Sequence, residues 1–156
     1  MLSFNDLGWS DAHEGIPDSI FRRGYIGPLP GDGLPAGVVH LQRMDGELRE
    51  AERFHQIIVN GAVGRAPNLL KFWRRLYDLC EHGAAVDVVG AYYTHVLAHS
   101  DPTRRRGISE RTFAYVDALS RQHIQNVDPT DDGVACSALQ EVDFELKSLI
   151  HIQEEE

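Results

Sequence analysis

The segment from residue 67 to residue 82 reads PNLLKFWRRLYDLCEH and contains the strongest periodic pattern in the chain. Its apolar residues recur every three or four positions, which places them on one face of an α-helix. Pro67 suits the first turn of that helix, and Gly83 suits its C-terminal end. We expect this wide apolar face to pack against other helices. The face comprises Leu69, Phe72, Trp73, Leu76, Leu79 and Cys80.

Four further segments have the same helical spacing of apolar residues. They span residues 46–60, 84–99, 110–127 and 134–153, and glycine, proline or capping residues separate them. The last of them repeats apolar residues in a 4-3-4-3 spacing, which is typical of a short coiled-coil seam. Short connections between helices favour antiparallel neighbours. The sequence therefore predicts an all-α fold, an antiparallel bundle of about five helices that occupies residues 45–156 and ends in an acidic helix.

The first 44 residues differ from the rest in composition. Residues 1–40 contain four of the seven prolines and seven of the fourteen glycines. Proline removes backbone donors and glycine is entropically costly in a helix, so a regular helix is not expected here. The sequence predicts an irregular N-terminal arm over residues 1–44, with a short helix near 18–23 and an extended stretch at 37–41 as local alternatives.

Length and composition favour a single folded domain. The chain has 156 residues, of which 42% are hydrophobic and 25% charged, and these proportions are typical of globular proteins. Two cysteines without a CxxC pair exclude a zinc ribbon and argue against a disulfide framework. The first residues lack the pattern of a secretory signal, and no apolar run approaches the ~18 residues of a transmembrane helix. We therefore expect a cytoplasmic protein in a reducing compartment, without a membrane partner.

Charge is distributed unevenly along the chain. The net charge is −9, and residues 128–156 contain nine acidic side chains and one lysine. Such an acidic chain is less suited than a basic one to bind nucleic acid. Two basic clusters are exceptions, at residues 71–75 and at Arg104, Arg105 and Arg106. Because arginine beside aromatic residues binds phosphate and stacks on bases, a small RNA-binding protein is one alternative function.

Three histidines suggest a second alternative, which is a metal site. His95 and His99 are four residues apart, so on the predicted helix they share one face. His55, on the preceding bundle helix 46–60, would supply a third ligand across the bundle. Three imidazoles and an open position suit a divalent transition metal and metal-assisted hydrolysis. The simpler interpretation places His95 in the core and His99 in the last helical turn, where a cation is favourable.

The preferred hypothesis is a non-enzymatic protein that associates with a protein partner or with itself. A nucleophile elbow, a P-loop and a dinucleotide-binding fingerprint are all missing from the sequence. The predicted arm contains large apolar residues, and we expect them to dock on a neighbouring bundle. The proposed contacts are Phe4, Trp9, Phe21 and Tyr25. Arg104, Arg105 and Arg106 would orient the contact by pairing with the acidic C-terminal segment, in the same chain or a neighbour. An arm that wraps its own bundle is the alternative.

Overall fold

The structure is a computed structural model, and it describes residues 15–17, 20–41, 53–127 and 133–151. In these ranges, its centre is a parallel sheet of four strands. The strands are β1 (Arg23–Ile26), β2 (Val38–His40), β3 (Phe54–Asn60) and β4 (Cys80–Val89). They lie side by side in the order β2-β1-β3-β4. Two of the described helices lie between β3 and β4 in the sequence, and the other four follow β4. The helices are α1 (Ala62–Arg65), α2 (Leu69–Asp78), α3 (Val96–Ser100), α4 (Glu110–Ala114), α5 (Ala118–Val127) and α6 (Val134–Ala138).

The predicted all-α antiparallel bundle is therefore wrong, and the fold is α/β with a parallel sheet. The error lies in the short apolar runs that were interpreted as helix faces. In β3, the successive residues Ile57, Ile58 and Val59 are all fully buried. A strand in the middle of a parallel sheet is covered on both faces, so its sequence is a continuous apolar run rather than an alternating one. Over so few residues, helical and strand spacing cannot be told apart.

The helix predicted at 67–82 is present as α2, although it is shorter. Asn68 is its N-cap, and the side-chain Oδ1 accepts a hydrogen bond from the amide of Lys71 at 2.9 Å. The helix ends early because Cys80 already pairs with Phe54 in the sheet. Residues that were expected to extend this helix thus begin β4, which also occupies the first half of the helix predicted at 84–99.

The C-terminal predictions need a similar correction. The helix predicted at 110–127 is divided into α4 and α5, and the one predicted at 134–153 is limited to α6. Residues 142–151 have no regular secondary structure, so the predicted coiled-coil seam does not form. Leu139 and Val142 are buried in the core, whereas Leu146 and Leu149 are exposed. The apolar spacing of this segment therefore reflects single contacts with the core rather than a continuous helical face.

The predicted irregular arm contributes two strands to the sheet. β1 and β2 pair with each other, and β1 also pairs with β3. Tyr25, proposed as a partner contact, is fully buried in β1 and packs against Ile58. Phe4 and Trp9 lie outside the described residues. Residues 37–41, one of the local alternatives, include β2, so the extended interpretation applies there.

β3 separates two apolar clusters because successive side chains of a strand point to opposite faces. On one face, Ile57 and Val59 belong to the main core with Trp73 and Leu76 of α2. On the other face, Ile58 and Tyr25 form a smaller cluster with Leu34, Val38 and Val89. Within the described ranges, no helix has the length and apolar character needed to cross a bilayer.

Replacing Leu76 with alanine should destabilise the protein, because this side chain is fully buried between α2 and the sheet. We expect a loss of about 2–5 kcal/mol in the free energy of unfolding, the usual range for a buried leucine. The measurement is urea denaturation followed by circular dichroism. Leu119→Ala is the matched control, since Leu119 is 80% exposed on α5. Equal stabilities of the two variants would contradict the placement of α2 on the sheet.

Candidate functional site

The order of the strands predicts a ligand site at one edge of the sheet. From β1 the chain continues to β2 on one side, and from β3 it continues to β4 on the other side. In open parallel sheets, ligands bind in the crevice outside the carboxyl ends of two such strands, where the connections diverge. Here those ends are Ile26 of β1 and Asn60 of β3. We call this region the carboxyl edge.

Polar side chains join the ends of β1, β2 and β3. The hydroxyl of Tyr25 donates to the carbonyl of Pro28 at 2.8 Å and accepts from Nδ2 of Asn60 at 3.1 Å. Nε2 of His40 lies 2.8 Å from the carbonyl oxygen of Gly27. Gly27 has a φ of +150°, and a Cβ there would lie 2.6 Å from the carbonyl oxygen of Asn60. Only glycine therefore permits the loop after β1 to approach β3 so closely.

A cluster of charged residues continues the carboxyl edge beyond β3 and β4. Oδ2 of Asp101 accepts from Nη2 of Arg65 and from Nε of Arg104, each at 3.2 Å. Oδ1 of Asp101 accepts from the amide of Thr103 at 2.9 Å and from its hydroxyl at 2.6 Å. One carboxylate thus meets two guanidinium groups, and the cluster has a surplus of positive charge.

The same hydrogen bonds determine the ionisation of Asp101. Its pKa is lowered from 3.8 to about 2, first by the hydroxyl and the amide of Thr103 and then by Arg104 and Arg65. Each of these donors favours the carboxylate over the neutral acid. Asp101 therefore remains ionised over the range in which most proteins work, and it keeps the two arginine side chains in place.

Backbone contacts attach this charged loop to the end of β3. Gly61 has a φ of +69°, and its amide donates to the carbonyl of Val89 at 2.8 Å. The guanidinium of Arg65 lies across Gly61, so that a Cβ there would be 2.5 Å from Nη1. Nη1 of Arg106 donates to the carbonyl of Ala66 at 2.8 Å. The loop that follows β4 is consequently held against α1, and its arginines lie at the carboxyl edge.

A second cluster of polar side chains, separate from the Asp101 cluster, is formed by Tyr92, Glu110 and His151 on the surface. The hydroxyl of Tyr92 donates to the carboxylate of Glu110 at 2.9 and 3.0 Å, and Nε2 of His151 lies 3.1 Å from Oε1 of the same carboxylate. The bond to Glu110 raises the pKa of Tyr92. The pKa of Glu110 is lowered, first by a hydrogen bond from its own backbone amide and then by Tyr92. These contacts connect the segment after β4 to α4 and to the C-terminal region.

The histidines of the predicted metal site do not come together. His55 is in β3, where Nδ1 accepts from the amide of Arg22 at 3.1 Å. His95 is the N-cap of α3, and Nε2 of His99 lies 2.6 Å from the carbonyl oxygen of Tyr93. In the part of the chain that is described, no group of three or more histidine, cysteine or acidic side chains is arranged to hold a metal ion. His95 and His99 do not lie on one long helix as the sequence predicted, because residue 95 precedes the short helix that contains residue 99.

The structure shows what the arginine cluster contacts within the described residues. Arg104 pairs with Asp101, and Arg106 donates to backbone carbonyls of the α1 region. Pairing of the cluster with the acidic C-terminal segment, of this chain or a neighbour, stays a prediction because residues 128–132 and 152–156 lie outside the described ranges. Arg105 has an exposed side chain, and its amide donates to the carbonyl of Gly64. The other basic cluster, which includes Lys71, Arg74 and Arg75, borders a surface groove of about 450 Å³ along α2.

Sequence reasoning missed the residues that form the carboxyl edge. Asn60 and Gly61 were interpreted as the end of a helix, although the same pair also suits a tight turn after a strand. The run of β-branched residues before them was the available signal. Asp101 had no signal of its own, because Arg65 is 36 positions away in the sequence.

Comparison with known proteins identifies no relative of this chain: no family model, no curated protein and no solved structure matches it. The site must therefore be interpreted from its own geometry.

Replacing Asp101 with asparagine should make the free energy of unfolding less dependent on pH under acidic conditions. A carboxylate whose pKa is about 2 when folded and 3.8 in the reference state stabilises the fold above pH 3.8, and this contribution disappears as the pH falls towards 2. The wild-type free energy of unfolding should therefore decrease more steeply between about pH 4 and pH 2 than that of Asp101→Asn. Urea denaturation at a series of pH values is the measurement, and parallel curves would contradict the assigned hydrogen bonds.

Proposed function

We propose that the protein binds a small anionic molecule of the phosphate-bearing class at the carboxyl edge of its sheet. The observation that carries this proposal is the pairing of Arg65 and Arg104 with the single carboxylate of Asp101, at the edge where parallel sheets bind ligands. Binding is proposed here without an assigned reaction.

The local charge supports an anion over a cation. The chain has a net charge of −9, yet residues 104–106 are three consecutive arginines and Asp101 is the acidic partner of the first. A guanidinium presents five N–H donors in a fixed plane, which suits the oxygens of a phosphate. In Arg104, Nε donates to Asp101, and its Nη atoms have no hydrogen-bond partner among the described residues.

The burial of the two arginines supports a built site rather than a random surface charge. The side chain of Arg104 is 13% exposed and that of Arg65 is 36% exposed. Their pairing with Asp101 fixes their positions before any ligand arrives, which reduces the side-chain entropy lost on binding. Partial burial also lowers the screening of their charge by water.

Replacing Arg104 with glutamine should weaken binding of phosphate-bearing ligands at least tenfold. The probes are pyrophosphate and the nucleoside mono-, di- and triphosphates, screened by thermal shift and then titrated by calorimetry. Binding should also weaken as the salt concentration rises. Arg74→Gln is the matched control, because Arg74 is an exposed arginine of α2 on the border of the separate basic groove. The proposal fails if no probe binds or if Arg104→Gln binds as tightly as wild type.

RNA binding remains an alternative, and the same pair of variants separates it. The groove beside α2 offers Lys71, Arg74 and Arg75 together with Asn68. Phosphate contacts to a nucleic acid would involve this groove and would be strongly salt-dependent. A loss of oligonucleotide binding in Arg74→Gln, with small anions unaffected, would favour the groove.

Association with a second protein molecule is the other candidate, and exposed apolar side chains favour it. Tyr93, Val96 and Leu97 are 50%, 68% and 49% exposed, and we call them the α3 patch. Apolar residues so close in sequence and all in contact with water are typical of an interaction surface. Phe4 and Trp9, two of the partner contacts predicted from the sequence, lie outside the described residues, so their docking role stays a prediction.

Replacing Leu97 with aspartate should reduce self-association, because a charge would be buried wherever two patches meet. Light scattering across a range of concentrations gives the mass. Leu119→Asp is the matched control, since Leu119 is also exposed but belongs to α5. The double variant Phe4→Ala with Trp9→Ala tests the N-terminal contacts separately. A monomeric wild-type protein at all concentrations would contradict self-association.

A further inference from the structure

β4 is the outermost of the described strands on its side of the sheet. It pairs with β3, and within the described residues no strand pairs with its other side, which we call the outer side of β4. Residues 84–90 are all half-buried, whereas residues 56–59 of β3 are buried. An outermost strand presents a row of backbone donors and acceptors, and this row is a template for another strand.

The hydrogen bonds at the end of β4 show which of its backbone groups face outwards. The amide of Gly61, just after β3, donates to the carbonyl of Val89 at 2.8 Å, so the backbone of Val89 faces β3. In a strand, the N–H and C=O of one residue point to the same side, and successive residues alternate. Asp87 therefore also faces β3 with its backbone, while the backbone groups of Val86 and Val88 lie on the outer side.

Only the second half of β4 is regular enough to accept another strand. Residues 81–84 depart from the register of β3 and bulge out of the sheet. The bulge opens a cleft of about 90 Å³ beside Gln56, at the amino ends of the strands. From Ala85 to Val89, every residue has a partner in β3, so this half of β4 is a regular strand.

The features that usually protect an outermost strand are missing from this regular half. Residues 85–89 read AVDVV, without proline or lysine, and Asp87 is their single charged residue. The carboxylate of Asp87 accepts a hydrogen bond from Nε2 of Gln56 at 3.3 Å, so this side chain is directed towards β3 and away from the outer side. Proteins commonly use lysine, proline or a very short strand to prevent pairing at such a position. The outer side of β4 is therefore open to pairing.

We propose that a second copy of this chain pairs antiparallel with the outer side of β4, so that two four-stranded sheets continue as one sheet across a two-fold axis. This interface goes beyond the anion site and does not depend on it. It also differs from the α3 patch, because backbone groups of β4 make the contact.

The half-buried side chains of β4 favour a second copy over an isolated peptide strand. Val86 and Val88 pack against the main core, and Val89 packs in the smaller cluster on the other face. A two-fold axis perpendicular to the sheet places the α2 faces of both copies on the same side, so each apolar cluster meets its own counterpart. A peptide strand would bring only its own side chains and would leave both faces of β4 less covered.

Asp87 restricts the register of this pairing. A two-fold axis at Asp87 would place two carboxylates directly opposite each other, and like charges in that position are unfavourable. An axis at Val86 would pair Val88 with Ala84, which belongs to the bulge. An axis at Val88 avoids both difficulties, because Asp87 then lies opposite Val89 and the outward N–H and C=O groups of the two Val88 residues bond to each other.

Salt should strengthen this association. The net charge of −9 opposes the approach of two copies. Because dissolved ions screen that repulsion, we expect a tighter dimer at high ionic strength. Binding at the anion site has the opposite dependence on salt, so the failure of one proposal can be distinguished from the failure of the other.

Amide hydrogen exchange in the full-length wild-type protein, followed by NMR over a range of protein concentrations, tests the proposal. At low concentration, the amides of Val86 and Val88 should exchange roughly tenfold or more faster than those of Asp87 and Val89, which face β3. Raising the concentration should slow Val86 and Val88 roughly tenfold and the other two much less, because only the outer amides gain partners. The mass measured by sedimentation equilibrium should rise over the same range.

Replacing Val88 with proline should weaken dimerisation roughly tenfold or more, because proline removes the central outer donor and leaves the donors that face β3. Val88→Ala is the matched control, since it shortens the same side chain but retains the amide. Arg104→Gln should dimerise like wild type. The exchange comparison needs no substitution, so it tests the proposal even if Val88→Pro does not fold.

A mass of one chain at every concentration and salt would overturn the proposal. Slow exchange of Val86 and Val88 that does not depend on concentration would also overturn it, because another segment of the same chain would then cover the outer side. A dimer in which these two amides still exchange fast, or one that forms equally well in Val88→Pro, would overturn it by placing the contact elsewhere, for example at the α3 patch.

Discussion

The structure depends on the burial of β3 between two parallel neighbours. Ile57, Ile58 and Val59 have no exposed surface, and the strand pairs with β1 on one side and β4 on the other. Because the side chains alternate, this one strand supplies apolar groups to both clusters of the fold. β1, β4 and α1 contact β3 directly, and α2 packs on one of its faces.

The parallel arrangement also explains why polar groups gather at the two ends of the sheet. All carboxyl ends of parallel strands meet at one edge, so the loops after β1, β3 and β4 come together there. That edge contains Asn60, Arg65 and the Asp101 cluster. The amino ends meet at the other edge, where the bulge in β4 opens the cleft beside Gln56. Between the two edges, β3 contributes the buried apolar residues Ile57, Ile58 and Val59.

The two edges differ in the chemistry that they offer. At the carboxyl edge, charged groups compensate one another and leave a positive surplus, which suits an anion. At the amino edge, the polar lining of the cleft includes His55, His82 and Gln56, and Gln56 donates to Asp87. The proposed phosphate-bearing ligand belongs to the carboxyl edge.

By itself, the sequence determined α2 and little else of the regular structure. Its ten helical residues include three buried side chains with helical spacing, and Asn68 caps the helix just before them. Local signals of this kind suffice for a helix. Whether residues 54–60 and 85–89 are helices or strands was decided only by tertiary pairing, because a strand needs partners that the local sequence does not reveal. The candidate site residues likewise divide into those recognisable from the sequence and those recognisable only from the tertiary structure. The basic character of residues 104–106 was visible in the sequence, but Asp101, Arg65 and the cleft at Gln56 acquire their meaning from contacts across more than 30 positions. Side chains so far apart in the sequence are brought together only by the tertiary structure.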